Sequence, residues 1–201
     1  MPLEIEAKFL NVDAVAIRKL LAAHGYTCMD ERRLLRRYTF LLSETLDNLD
    51  GSKWGRVRDE GNRVTMTYKH AFDRSRIDGT EEVEFEVSDF DAAVVFMGKL
   101  GFENRLYQEN YREAWQKDGV EVTVNEWPAL SPLVEIEAAD EDLVRNASAE
   151  LGFDFGTAVF GGVGSIYKLC NGWDMNFVDN LTFARADEIA SSMNARMGGV
   201  A

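Results

Sequence analysis

Cysteine is almost missing from this chain of 201 residues: only Cys28 and Cys170 are present. Two thiols are too few for a disulfide framework, and their spacing is no metal motif, so both read as inert. No apolar run approaches the roughly 20 residues that a membrane-spanning helix requires. The opening Met-Pro-Leu-Glu-Ile-Glu carries acids where a secretory leader needs bases followed by an apolar stretch, so a cytoplasmic location is expected. Bases are in the minority, with 22 Lys and Arg against 35 Asp and Glu and a net charge of −13. That balance argues against a duplex-DNA binder, which needs a basic footprint. It leaves open a phosphate-bearing small molecule, held through metal ions or by a few bases concentrated locally. His24 and His70 have no metal-ligand neighbours and read as surface residues. Gly161-Gly162-Val163-Gly164 lacks the Lys-Ser/Thr of a P-loop and follows no clear strand, which makes it a flexible link.

What is present is ordinary in amount. A hydrophobic fraction of 46% and a charged fraction of 28% exclude wholesale disorder and a collagen-like fibre. The length suits one domain, or one domain plus a tail, and suffices for a core without covalent staples.

The order of residues is more informative. Leu3, Ile5, Ala7 and Phe9 alternate with Glu4, Glu6 and Lys8. Val83, Phe85 and Val87 alternate with Glu82, Glu84 and Glu86, and Val134, Ile136 and Ala138 with Glu135 and Glu137. Period two predicts strands with one apolar and one ionic face. A helix signal follows each. Asn11 or Asp13 can cap a helix ending at Gly25. Ser88 with Asp91 has the capping-box spacing before a helix ending at Gly101. Asp140 or Asp142 opens a third, ending at Gly152. An aromatic follows each stop: Tyr26, Phe102 and Phe153. Basic strands fill the gaps. Trp54–Arg58 puts Arg56 and Arg58 on one face. It turns at Asp59-Glu60-Gly61-Asn62 and returns with Arg63, Thr65, Thr67 and Lys69 opposite Val64, Met66 and Tyr68. A second hairpin, Tyr107 to Trp127, turns at Lys117-Asp118-Gly119, and a strand around 36–42 is expected with poor alternation. About eight mostly antiparallel strands with three helices between them follow, with a helical tail from about residue 157.

One strand of alternating charge can simply face water. The set is different, because the charges are sorted by strand, acidic on some and basic on others, where a solvated face mixes signs. About eight strands can close into a barrel. If the ionic faces line its inside, Glu4, Glu6, Glu135 and Glu137 form a carboxylate cluster facing Arg56, Arg58 and Lys69. Charges held out of bulk water are costly unless paired or bound. A polyphosphate carrying a divalent metal satisfies both clusters: carboxylates suit Mg²⁺ or Mn²⁺, and Arg and Lys suit phosphate oxygens. Phosphoryl or nucleotidyl transfer is the chemistry expected there.

Glu4-Ile5-Glu6-Ala7-Lys8 resembles the Glu-x-Glu-x-Lys signature of the CYTH domain, or triphosphate tunnel metalloenzyme, superfamily. Arg56-Val57-Arg58, Thr67-Tyr68-Lys69, Glu82-Val83-Glu84, Arg112 and Glu135-Ile136-Glu137 follow in that family's order, with a looser match at Ser165-Ile166-Tyr167. The resemblance implies an α+β fold: an eight-stranded antiparallel tunnel with helices packed outside. It implies a tunnel domain over residues 1–156 and a C-terminal helical extension over 157–201. It also implies a metal-dependent enzyme acting on a small-molecule triphosphate, with no DNA or membrane partner and a homodimer left open. Carried over, Glu4, Glu6, Glu135 and Glu137 become metal ligands for Mg²⁺ or Mn²⁺, two ions in all. Lys8, Arg56, Arg58, Lys69 and Arg112 become triphosphate binders. Lys8, Lys69, Glu82 and Glu84 become catalytic, the two glutamates as second-metal or water-positioning groups.

Two positions depart from the family pattern. Ala114 stands two residues after Arg112 where relatives often carry a second inward base, and Asn125-Glu126 precedes Trp127-Pro128 where an Asp is expected. The family includes triphosphatases of inorganic triphosphate, thiamine triphosphate and RNA, and class IV adenylyl cyclases. Hydrolysis demands only the clusters visible here. The alternatives are a cyclase converting ATP to cyclic AMP and pyrophosphate, and a non-catalytic polyphosphate- or nucleotide-binding module.

Overall fold

The structure is a computed structural model that describes residues 3–41, 52–102, 105–175, 178 and 180–198. Ten strands and five helices are described. In chain order they are β1 (Leu3–Glu4), β2 (Glu6–Phe9), α1 (Ala14–Ala23), β3 (Thr27–Leu41), β4 (Lys53–Asp59), β5 (Val64–Ala71), β6 (Thr80–Val87), α2 (Phe90–Lys99), β7 (Arg105–Lys117), β8 (Val120–Glu126), β9 (Leu133–Glu137), α3 (Glu141–Glu150), α4 (Val163–Asn171), β10 (Asn180–Leu181) and α5 (Ala186–Gly198). The sheet runs β1-β6-β5-β4-β3-β7-β8-β9-β2, with β10 parallel to β7 at the side.

This order closes on itself, because β1 and β2 are one N-terminal run interrupted at Ile5. Its first part pairs with β6 and its second with β9, so one run of chain bridges the two ends of an otherwise antiparallel sheet. Counting that run once gives the eight barrel strands expected from the sequence. Beyond the interruption, Lys8 exchanges both backbone hydrogen bonds with Val159, so the segment after α3 lies along the free side of β2.

The helices cover the outward apolar residues of β2, β3, β4, β8 and β9. Ala7, Phe9, Val122, Val124, Val134 and Ile136 are buried beneath Ile17 and Leu21 of α1 and Val144 and Ala147 of α3. Phe40 and Val57 are sealed by Phe90, Ala93, Val94 and Met97 of α2. A third cluster joins Ile166 and Tyr167 of α4 and Ile189 and Met193 of α5 to Trp127 and Leu133. The three Gly-aromatic stops are one device: Gly25, Gly101 and Gly152 all have positive φ. Each lets the next N–H, of Tyr26, Phe102 or Phe153, bond back to the helix at Leu21, Met97 or Ser148, and each aromatic joins the adjoining cluster.

Local details differ from expectation in three places. The caps are Asp13, Asp89 and Asp140, each accepting from the first-turn N–H groups, so Ser88 is not the cap of α2. The strand expected around 36–42 is β3, which begins at Thr27; Leu42 lies outside the described residues. Register shifts between Cys28 and Arg33 scramble the alternation that would have revealed it. Gly161-Gly162-Val163-Gly164 is not a free link: Gly162 is the N-cap of α4. No helix among the described residues is long and apolar enough to cross a membrane.

Candidate functional site

The inward face of the barrel lines a cavity of about 1600 Å³. Strand register decides what meets there. β2 against β9 sets Lys8 beside Glu135 and Glu6 beside Glu137. β5 against β6 sets Lys69 beside Glu82 and Thr67 beside Glu84, and β4 against β5 sets Arg56 beside Thr67. β7 against β8 sets Arg112 beside Asn125. All eleven residues singled out in the sequence for the site therefore line one cavity: Glu4, Glu6 and Lys8 from the N-terminal run, Arg56 and Arg58 from β4, Lys69 from β5, Glu82 and Glu84 from β6, Arg112 from β7, and Glu135 and Glu137 from β9.

The carboxylates are not equivalent. Oxygens of Glu4, Glu6 and Glu137 lie within 4.8 Å of one another, close enough to share one cation. Glu135 is not one of this trio. Its Oε2 accepts from Arg112 Nη2 at 2.7 Å, Asn125 Nδ2 at 3.1 Å and Thr123 Oγ1 at 3.3 Å, and its Oε1 is 3.8 Å from Lys8 Nζ. Lys8 also pairs with Glu6. Lys69 bridges Glu4 at 2.5 Å and Glu82 at 3.0 Å. Arg56 donates to Glu84 at 2.9 Å and to Thr67 at 3.1 Å, while Arg58 pairs with Glu60.

These contacts set the charge states. Burial works to raise the Glu4 carboxyl, but Lys69 and Lys8 outweigh it and hold it at about 2. Burial is likewise overcome at Glu135 by Lys8 and Arg112, which hold that carboxyl at about 2. Glu137 keeps exposed surface in the tunnel but is enclosed by protein atoms. That enclosure, with Glu4 beside it, pushes its carboxyl up to about 7. Burial and the neighbouring Arg56 and Arg112 lower the Arg58 guanidinium to about 10. The basic wall is thus crowded with like charge, a configuration that a bound anion relieves. The buried Nε of Arg56, Arg58 and Arg112 each lack a hydrogen-bond partner. Three unpaired donors on one wall are unusual in a settled interior, where buried polar groups are paired.

Arg37 belongs to the same wall. It belongs by sequence to a basic run with Arg32, Arg33 and Arg36, of the kind that reads as a solvated loop or a patch at the tunnel mouth. The other three form ion pairs with Glu126, Asp30 and Asp59. Arg37 is buried in the cavity, donates to Gln108 Oε1 at 3.0 Å and lies 4.2 Å over the Trp127 ring. The signal was its alternation with Tyr38 and Phe40. Ala114 and Asn125 also face inward, so both departures from the family pattern fall within the cavity itself.

Compared with models of protein families, the chain matches the CYTH domain over residues 2–152. It belongs to the CYTH family. Among solved structures, the PH1012 protein of Pyrococcus horikoshii OT3 aligns with a TM-score of 0.63 at 22% identity, covering 78% of this chain and 94% of that one. A candidate adenylate cyclase from Vibrio parahaemolyticus aligns with a TM-score of 0.67 at 12% identity, covering 83% and 98%. Another from Bacillus halodurans gives 0.55 at 15% identity, covering 84% and 98%. At these identities the likeness carries the CYTH tunnel fold and not a reaction. No curated protein matches the chain.

Proposed function

We propose that this CYTH protein is a metal-dependent enzyme that binds a triphosphate, inorganic or attached to an organic group, in the tunnel and hydrolyses it. The observation that carries the reading is the facing of two sets in one cavity. One is the Glu4, Glu6 and Glu137 trio; the other is a basic wall in which Arg56, Arg58 and Arg112 each keep a buried, unused Nε donor. An all-oxygen carboxylate set suits a hard divalent cation such as Mg²⁺ or Mn²⁺. When bound, such a cation supplies charge neutralisation at phosphate oxygens.

The chain's own residues do the rest. Arg37, Arg56, Arg58 and Arg112 take the phosphate oxygens through planar forks, and Lys8 and Lys69 through compact charges. Together they hold the chain of phosphates in line and stabilise charge as it shifts towards the leaving group. Glu82 and Glu84, beside Lys69 and Arg56, orient the attacking water. Residues 1–156 serve as the tunnel domain and 157–201 as a helical extension packed against it, in a cytoplasmic protein.

The test is orthophosphate release from tripolyphosphate, ATP and thiamine triphosphate with Mg²⁺ or Mn²⁺, with the ATP reaction also assayed for cyclic AMP. Orthophosphate that disappears with EDTA and returns with metal is expected. Cyclic AMP with pyrophosphate would assign the cyclase reaction instead. Binding without turnover would make the protein a polyphosphate-binding module, and full activity without metal would remove the carboxylate trio's role.

A further inference from the structure

Glu135 lies beside the carboxylate trio and is chemically spoken for. Its Oε2 takes three donors at once, from Arg112, Asn125 and Thr123, which exceeds the two lone pairs a carboxylate oxygen directs in its plane. Its other oxygen faces the Lys8 ammonium. Asn125 is what closes this arrangement. Its Nδ2 donates to both Glu135 and Thr123 Oγ1, at 3.1 and 2.8 Å, and its Oδ1 accepts from Asn110 Nδ2 at 3.3 Å. Asn110, Thr123 and Asn125 are all about 2% exposed, so no bulk water competes for these bonds. The trio is held differently, by ammonium groups alone and not by a fork, an amide and a hydroxyl together. Lys69 meets Glu4 and Lys8 meets Glu6, each through a flexible ammonium.

We infer that Glu135 is a positioning residue and not a metal ligand: held by Asn125 and Thr123, it fixes Arg112 for phosphate, and the tunnel takes a single metal ion at Glu4, Glu6 and Glu137. This rests on the reading of the tunnel as a metal and triphosphate site and departs from the two ions and four ligands expected from the family resemblance. The physical reason is the charge and hydrogen-bonding capacity of position 125. An amide there donates a hydrogen to Glu135 and brings no charge. A carboxylate there would set two negative groups about 3 Å apart in a buried site, an arrangement that calls for a proton or a cation between them. Asn125 removes that demand, and with it the incentive for a second ion. Glu135 in turn holds Nη2 of Arg112, which Thr123 Oγ1 also accepts from at 3.1 Å, so the guanidinium is fixed from two sides.

The experiment counts Mn²⁺ bound per chain by titration calorimetry and by the loss of the free-ion EPR signal, with and without tripolyphosphate. It compares the native protein with Asn125→Asp, Glu135→Gln and Glu137→Gln, each checked for a native-like melt. The native protein is expected to bind one ion and Asn125→Asp two. Glu135→Gln should keep one ion at near-native affinity while tripolyphosphate affinity drops about tenfold or more, the size expected for a lost charge-assisted contact. Glu137→Gln should lose metal affinity first. Two ions on the native protein, or a loss of metal in Glu135→Gln as severe as in Glu137→Gln, would overturn the inference and leave the metal reading standing. Absence of any Mn²⁺ binding to the native protein would remove both.

Discussion

On β9 the outward residues Val134 and Ile136 have no exposed surface, sealed in the cluster that α1 and α3 complete, while the inward Glu135 and Glu137 face charge across a cavity. β2 repeats the contrast, with Ala7 and Phe9 outside and Glu6 and Lys8 inside. The same few residues thus carry two jobs on two faces. Outside, non-directional apolar burial holds the barrel in shape. Inside, ion pairs between buried groups add little net stability, because removing charges from water costs about what their attraction returns. The interior is therefore free to be arranged for a ligand. β6 sets a limit to the outer rule: its outward Val83 and Phe85 are exposed, with no helix among the described residues above them, while its inward Glu82 and Glu84 are still paired.

If the two faces divide stability from binding in this way, substitutions should separate cleanly. The largest loss of stability is expected from Ile136→Ala on the outer face, about 2–5 kcal/mol for a buried side chain that leaves a cavity. Denaturant unfolding measures it. Such a variant should keep its affinity for tripolyphosphate wherever it remains folded, and a selective loss of affinity would blur the division. Lys69→Ala is the inner-face counterpart. No outward packing is touched, so the barrel should fold, while affinity for tripolyphosphate with Mn²⁺ and turnover both drop about tenfold or more. Wild-type turnover would mean that Lys69 merely pairs with Glu4 and Glu82. Failure to fold would mean that the inner charges hold the barrel after all. The smallest effect is expected at the attachment of the C-terminal helices. Tyr167 is fully buried and donates to the Pro128 carbonyl at 2.5 Å. Tyr167→Phe should cost about 0.5–1.5 kcal/mol and leave turnover unchanged.

The division also explains what could be read from the sequence. Where one face packs on helices and the other on ions, alternation is strict, and β2, β6, β9 and the β4–β5 hairpin were all visible. The sorting of sign by strand was visible too, which is why the eleven residues expected at the site line one cavity. β3 was legible only at its end. Its register shifts near Asp30 break the period, and its run of Asp30, Glu31, Arg32 and Arg33 looks like a solvated loop. Arg37 was lost with it. Gln108 and Asn110, neutral and short, gave no signal, because a polar residue on a strand is ordinary until the barrel closes around it. The distinction between Glu135 and Glu137 is tertiary in origin. Both have the same spacing and the same face, and only the residues across from them on β2, β8 and β7 tell them apart.

The most direct measurement of the tunnel's role is the melting temperature of the native protein with tripolyphosphate, with Mn²⁺, and with both. Ligands that bind only the folded barrel stabilise it by mass action, about 2.7 kcal/mol at a hundredfold excess over Kd, or roughly 5–10 °C for a chain of this size. Because the carboxylate trio and the basic wall are satisfied only by a cation and an anion together, the pair should raise Tm by more than the sum of the separate shifts. A melting temperature that moves with neither ligand nor their combination would contradict the assignment of this cavity to a metal-bound triphosphate.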